Sequence, residues 1–518
     1  REPEFKPILR AKAIAFENAS GRDRGILDEL GNTVLYGHPD AQSILTRIQV
    51  ENDRLLLLRN TVEGERPAGF VSYREIGNDE LFGVLKDMEL ANLVRGKSSR
   101  EILLITGIYA REENAGDSEV IRDAPQQLLV EVLAKELEKN YSFALFVAER
   151  GTTTKEVVYA LERQGFIRPQ LADESDKRTV YMVDMHEPLM FLHNLETTIK
   201  EPFASNPAVL DAIEKNHRKL QMAMTKLYPG NLVISLSSGV MHHRLVDRIT
   251  ALNDVPREPL VPRRLGKNMC VPFGKILRGK VVPNTVTKTL HTDKVYEPDL
   301  NSFTIEPFPY YSPLKSQIET IKSFDRPVIL VDDLVHKADR LQVLVPQLRE
   351  DGIPIRKVVV GVLSGYGRDL MQCLKVPVES IYSMPNLRQW FVESTLYPFI
   401  GGDTVRREEM KVAGLQPSIN MILPYATPRL SGCSREALVE FSACCIENSK
   451  NLFQVLEAEY RKMYAKNLTL SRLSEVVILP LCPDKGSCME YDENLAASVY
   501  LENDLETLWR MKEFLIKG

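Results

Sequence analysis

Val328-Ile-Leu-Val-Asp332-Asp333-Leu-Val-His336 is an apolar run that closes on two adjacent carboxylates. Four aliphatic residues without polar interruption suit a strand buried on both faces, the pattern of a parallel sheet. Burying even one unpaired charge is costly, so Asp332 and Asp333 read as the exit of that strand, facing a ligand-binding edge. The alternative is that one Asp caps the next helix while the other faces water.

Working outward, the periodicity predicts helices over 312–324, 338–350 and 367–374, with strands over 357–363 and 379–383. A short β-rich run, 231–236, precedes them and is followed by a helix through Val246 and Ile249. Strands alternating with helices at this rhythm imply a parallel sheet with right-handed crossovers, whose ligands sit beyond the carboxyl ends of the strands.

An apolar strand, Asp332-Asp333, two residues and a loop entering a helix resemble the phosphoribosyl-diphosphate (PRPP) loop of type I phosphoribosyltransferases. That resemblance implies that Asp332 and Asp333 bind ribose hydroxyls, or a magnesium ion carried by ligand phosphates. The residues after them would wrap a phosphate, and here they read His336-Lys337-Ala338-Asp339-Arg340 in place of a hydroxyl-rich turn. Two readings stay open. Lys337 and Arg340, with His336, replace hydroxyls by cations, or Asp339 signals that no monophosphate binds there. By position, Gly274-Lys275 and the Thr-rich stretch with Thr287 and Lys288 would be the pyrophosphate and closing loops, or else plain surface loops. Lys275, Lys288 and Lys337 would neutralise a leaving pyrophosphate.

The first 190 residues follow another order. Strands over 53–61 and 67–76, a helix 79–94, a strand 102–109, a helix from Pro125, a strand 141–148, a helix 153–164 and a strand 179–183 are predicted. This order, ending its last helix at Gly165-Phe166, resembles the GNAT acetyltransferase fold. The resemblance implies acetyl-CoA, with Ile108 and Tyr109 on a backbone edge and Arg122 on a phosphate. The glycines of the family's phosphate-binding turn are replaced by Asp123 and Pro125, and its tyrosine by Leu161. An Asp there repels phosphate and a Pro removes a donor, so an altered module is read ahead of working acetyl transfer.

At 518 residues, two or three domains are expected: a GNAT-like unit 1–190, a helical linker 191–228, a phosphoribosyltransferase-like unit 229–400, and a mainly helical region 401–518. The fold class is α/β, a mixed sheet followed by a parallel sheet with a helical C-terminal cap. In that cap's approach, Trp390 or Tyr397 would stack on a planar base. A net charge of −5 gives no global basic field, so nucleic acid is not an expected partner. Seven cysteines without paired CxxC spacing suggest reduced thiols and a cytoplasmic setting. No membrane span is read, and the adjacent His242 and His243 point different ways, so protein ligands alone suggest no metal. Arg1 in place of Met suggests a fragment, with further domains of the same polypeptide as partners.

The expected function is a bacterial transferase handling PRPP or a nucleotide-like phosphate, fused to an altered acyltransferase module. The alternatives are a non-catalytic nucleotide sensor, or part of a larger enzyme, since the module order resembles bacterial chains labelled cytidylyltransferase-related. No HxGH-type nucleotidyltransferase motif occurs.

Overall fold

The computed structural model describes residues 14–61, 64, 66–98, 100–111, 123–149, 153–170, 178–262, 264–277, 279–309, 311–407, 415–485 and 491–517. Arg122 lies outside them. The fold class is the one expected: a mixed sheet, a parallel sheet, and a mainly helical C-terminal region.

The mixed sheet begins with β1 (Ile14–Ser20), β2 (Arg54–Asn60), β3 (Arg66–Ile76) and β4 (Ile102–Ala110), each antiparallel to the next. β4 then pairs in parallel with β5 (Phe143–Glu149), and β5 pairs antiparallel with β6 (Arg178–His193). The helix Ala124–Glu136 starts with Pro125 in its first turn and buries Leu128, Leu129, Val132 and Leu133 in the core beneath this sheet. The helix expected over 79–94 is two helices, Leu81–Leu85 and Met88–Lys97. Lys86 takes a left-handed φ of 51° that ends the first, and the Asp87 carboxylate caps the second by accepting from the Leu90 amide at 2.9 Å.

β6 is longer than the strand expected at 179–183 and changes partners along its length. Its first half pairs β5 as far as Asp184. From Leu189 it runs parallel to both β7 (Asn231–Ser237) and β15 (Gln389–Val392), one on each side. Pro188 marks the change, since it has no amide to continue a ladder. One sheet therefore crosses the boundary expected at residue 190.

The parallel sheet contains β8 (Met269–Pro272), β9 (Val286–Thr287), β12 (Val328–Val335), β13 (Ile355–Ser364) and β14 (Val378–Met384), in the order β14-β13-β12-β8-β9. Alternate residues of β12 enter different cores. Val328 and Leu330 face one that holds Leu341 and Leu344 of the helix Asp339–Glu350. Ile329 and Val331 face the larger core shared with the helices Ala124–Glu136 and Ser238–Leu252. Burial on both faces is why this stretch is continuously apolar.

A small third sheet joins β10 (Thr292–Tyr296) and β11 (Phe303–Pro307) to β16 (Asp403–Val405), β17 (Gln416–Ile419) and β18 (Leu481–Pro483). The C-terminal helices Arg435–Tyr464 and Ala497–Lys517 share a core with the helix Pro207–Leu227. The segment read as a linker is thus the spine of that core. Among the described residues no helix is long and apolar enough to cross a membrane, and the cysteines are free.

Candidate functional site

The connection leaving β8 runs to β9 on one side, and the connection leaving β12 runs to β13 on the other. The carboxyl ends of β8 and β12 therefore flank a topological switch point, where open α/β sheets form a crevice. Asp332 and Asp333 lie at this crevice with Gly274, Lys275 and Arg340. The backbone amides of Lys275 and Ile276 donate to the Asp333 carboxylate at 2.7 and 2.9 Å. Asp332 accepts from the Asp333 amide at 2.8 Å, and its Oδ1 lies 4.0 Å from Arg340 Nη1.

These bonds constrain the roles expected for the pair. Both oxygens of Asp333 are committed to the loop after β8, and Asp332 is turned toward its own backbone and Arg340. Magnesium held through one or two freely presented carboxylates does not fit this arrangement, and the expectation of that ion is not supported.

A ring of charge surrounds the crevice. Lys294 on β10 bonds Asp339 at 3.0 Å, so the acid expected to repel a phosphate at the helix start is already paired. Asp403 on β16 faces Lys275, Lys294, Asp293 and Arg340; burial pushes its carboxyl up, while the three cations pull it down. His336 hydrogen-bonds Ser364 through Nδ1 at 2.8 Å, and burial lowers its pKa. Its ring centroid stands 5.2 Å from Trp390 and 5.9 Å from Tyr366, forming an aromatic wall. Lys337 is exposed.

Thr287 and Lys288 are not brought to the pair. β9 is the outer strand, two places from β12, which is about 10 Å at ordinary strand spacing. The Thr287 hydroxyl accepts from the Val282 amide at 3.2 Å and Lys288 is exposed. Tyr397 is fully buried in the C-terminal core and cannot stack on a ligand.

In the first sheet, β4 pairs β5 only over Leu103–Ile105. Past a register shift at Ser72/Tyr73, no described residue pairs with the β5-facing edge at Ile108 and Tyr109. The Tyr109 ring stacks on Phe70 at 4.9 Å, and its hydroxyl accepts from Arg47 at 3.3 Å. Leu161 is buried and Tyr159 is partly exposed on the same helix.

Another cluster escaped the sequence reading. A cavity of about 230 Å³ is lined by Gln126, Gln127, Glu131, Arg163, His193, His217 and Ser235, among others. His217 donates toward Glu393 Oε1 at 2.5 Å and toward Glu196 Oε1 at 3.2 Å. Burial opposes charge on His217, but the two carboxylates outweigh it and raise its pKa to about 10. Burial and His217 together push His193 down to about 4. Beside this network, Arg244 and the Tyr382 hydroxyl both donate to Glu131 at 2.8 Å. His193, His217 and Glu393 lie 24 to 200 positions apart in the sequence, and no short motif marks them.

No family model matches the chain, and no curated protein matches it. Solved structures similar to parts of it include a GNAT-family acetyltransferase from Desulfovibrio desulfuricans, 13% identical, covering 33% of this chain and 99% of that one, TM-score 0.23. FeeM, an N-acyl amino acid synthase from uncultured soil microbes, is 17% identical over 33% of this chain and 94% of its own, TM-score 0.23. A purine phosphoribosyltransferase from Pyrococcus horikoshii is 13% identical over 34% of this chain and 92% of its own, TM-score 0.19.

Proposed function

We propose that the chain binds a phosphorylated ribose or nucleotide in the crevice between β8 and β12, as a transferase or a protein derived from one. The observation that carries this reading is the convergence of Lys275, Lys294 and Arg340 around a topological switch point. Lys275 and Arg340 can meet phosphate oxygens, with Lys294 beside them already paired to Asp339, and the His336, Trp390 and Tyr366 rings offer a planar base a stacking surface. Asp332 is the carboxylate nearest Arg340 and would meet the ribose hydroxyls.

Displacement at the anomeric carbon would use the same cations to stabilise the leaving pyrophosphate. A second reading, a non-catalytic sensor, is favoured by Asp333, whose carboxylate holds the loop after β8 in place and is not presented to a ligand. In the first module, the open edge of β4 supports an acyl-CoA ligand as a separate possibility to be measured.

Calorimetric titration of the full chain with PRPP, nucleotides and acetyl-CoA, with and without Mg²⁺, tests these readings. Binding of PRPP or a nucleotide that weakens at least tenfold in Arg340→Ala and Asp332→Asn is the expected result. Binding without consumption of any base favours the sensor. Failure of every phosphorylated ligand to bind overturns both.

A further inference from the structure

We infer that His193, His217 and Glu393 form a site for one divalent first-row transition-metal ion, separate from the β8–β12 crevice. Each residue offers one ligand atom, and these atoms lie within 4.8 Å of one another. His193 ends β6, His217 stands in the helix Pro207–Leu227, and Glu393 follows β15. The three come from different elements, but their backbones are fixed. Asn194 Nδ2 donates to Ser394 Oγ at 2.9 Å, and the Ser394 amide donates to Asn194 Oδ1 at 2.9 Å, clasping the ends of β6 and β15 together.

Two buried atoms in the cluster lack hydrogen-bond partners. His193 Nδ1 and Glu393 Oε2 face each other at 3.8 Å, too far for a hydrogen bond, and neither has another partner. Glu393 is 0% exposed. An orphaned carboxylate oxygen in such a place is expensive, and a cation between the two atoms would satisfy both. Metal–nitrogen and metal–oxygen bonds of about 2.0–2.2 Å span a gap of this size with a small inward adjustment.

The outer nitrogens are arranged as a metal site requires. His193 Nε2 is held by Ser235 Oγ, and His217 Nε2 by Glu196 Oε1. A ligating histidine ordinarily has its second ring nitrogen bonded to a carboxylate or hydroxyl, which fixes the tautomer and turns the other nitrogen to the metal. Here both Nδ1 atoms turn toward Glu393.

Charge points the same way. Glu196 and Glu393 are two carboxylates against the one imidazolium that His217 can supply, and a divalent ion balances both. On binding, the cation replaces the proton shared by His217 Nδ1 and Glu393 Oε1, and that proton leaves to solvent. Two histidines and one carboxylate leave coordination positions open, the arrangement of catalytic zinc and non-haem iron(II) rather than of closed structural sites. The open side meets the cavity, where Gln126 and Gln127 each present an unpartnered side-chain oxygen.

The test is metal analysis of the full chain purified without chelators, followed by Co²⁺ titration of the chelator-treated protein monitored by its visible d–d absorption. About one equivalent of bound metal, with an absorption band typical of four or five ligands, is expected. Glu393→Gln and His193→Ala should lose at least tenfold in affinity, while Asp332→Asn should bind as wild type does. Should the ligand variants fail to fold by circular dichroism, Ser235→Ala keeps all three ligands and should weaken binding by about 10–100-fold. Absence of stoichiometric metal together with a featureless Co²⁺ titration overturns the site. So does labelling of Ser235 by a fluorophosphonate that stoichiometric metal does not suppress, which would make His193 the base of a serine nucleophile.

Discussion

Gly274 owes its identity to the carboxylates behind it. A Cβ at this position would stand 2.6 Å from Oδ1 of both Asp332 and Asp333, and 2.8 Å from the Asp333 amide. Gly274→Ala must push the loop off β12, and a loss of about 1–3 kcal/mol is expected from overpacking. A lower urea midpoint with unchanged slope would show it. Asp333→Asn replaces one of the two accepting oxygens by a donor, leaving the Lys275 or Ile276 amide unpaired at a cost of about 1–3 kcal/mol. Its amide resonances in that loop should lose hydrogen-exchange protection. The acids were legible as an interruption of an apolar strand, but β12 continues past them to Val335, so they do not end it, and Asp333 has the structural role of holding the loop after β8. Their division of labour was not legible, since the loop amides that occupy Asp333 sit 57 and 58 positions upstream.

At the scale of elements, the helix Ala124–Glu136 is anchored to the parallel sheet by one buried carboxylate. Glu131 accepts from Arg244 and from Tyr382 on β14. Burial pushes its carboxyl up, but Arg244 and Lys135 pull it below the ordinary carboxylate range. Arg244→Met removes one of the two cations on that charge and leaves Lys135, and the expected destabilisation is about 1–3 kcal/mol. A depressed carboxylate contributes stability above its unfolded-state pKa and loses it as pH falls through the lower folded value. The gap between wild type and Arg244→Met should therefore be full near pH 7 and shrink on acidification below the usual carboxylate pKa, as chemical denaturation at several pH values would reveal. The elements themselves were largely legible: the strands at 102–109 and 328–332 and the helices from Pro125 and over 338–350 declared themselves by apolar period and caps. The short strands β10, β16 and β18 did not, because three to five half-buried residues carry too little periodicity. Lys294 and Asp403, which complete the crevice charge, ride on exactly those kinds of strand.

On the scale of the whole molecule, the mixed and parallel sheets share one core through Ile329, Val331 and the helix Ser238–Leu252. A chain ending at residue 190 would remove β7, β15 and the last three residues of β6, and leave Leu189 and Met190 without partners on either side. Such a fragment is expected to aggregate or run as an expanded species in size-exclusion chromatography, whereas the full chain should unfold without a separate first-module transition in calorimetry. A compact, monomeric 1–190 fragment would contradict that coupling. Sequence period could not announce it, since the partners of β6 are chosen by tertiary packing and not by local pattern.

The same strand carries a consequence for synthesis. Asn194 meets Ser394 200 residues later in the chain. At about 5–20 residues per second, a ribosome needs roughly 10–40 s to deliver β15 after β6 has emerged. Through that interval a β edge of Leu189–Leu192 stands uncovered, the kind of surface that chaperones seize and that nascent neighbours on a polysome can pair with.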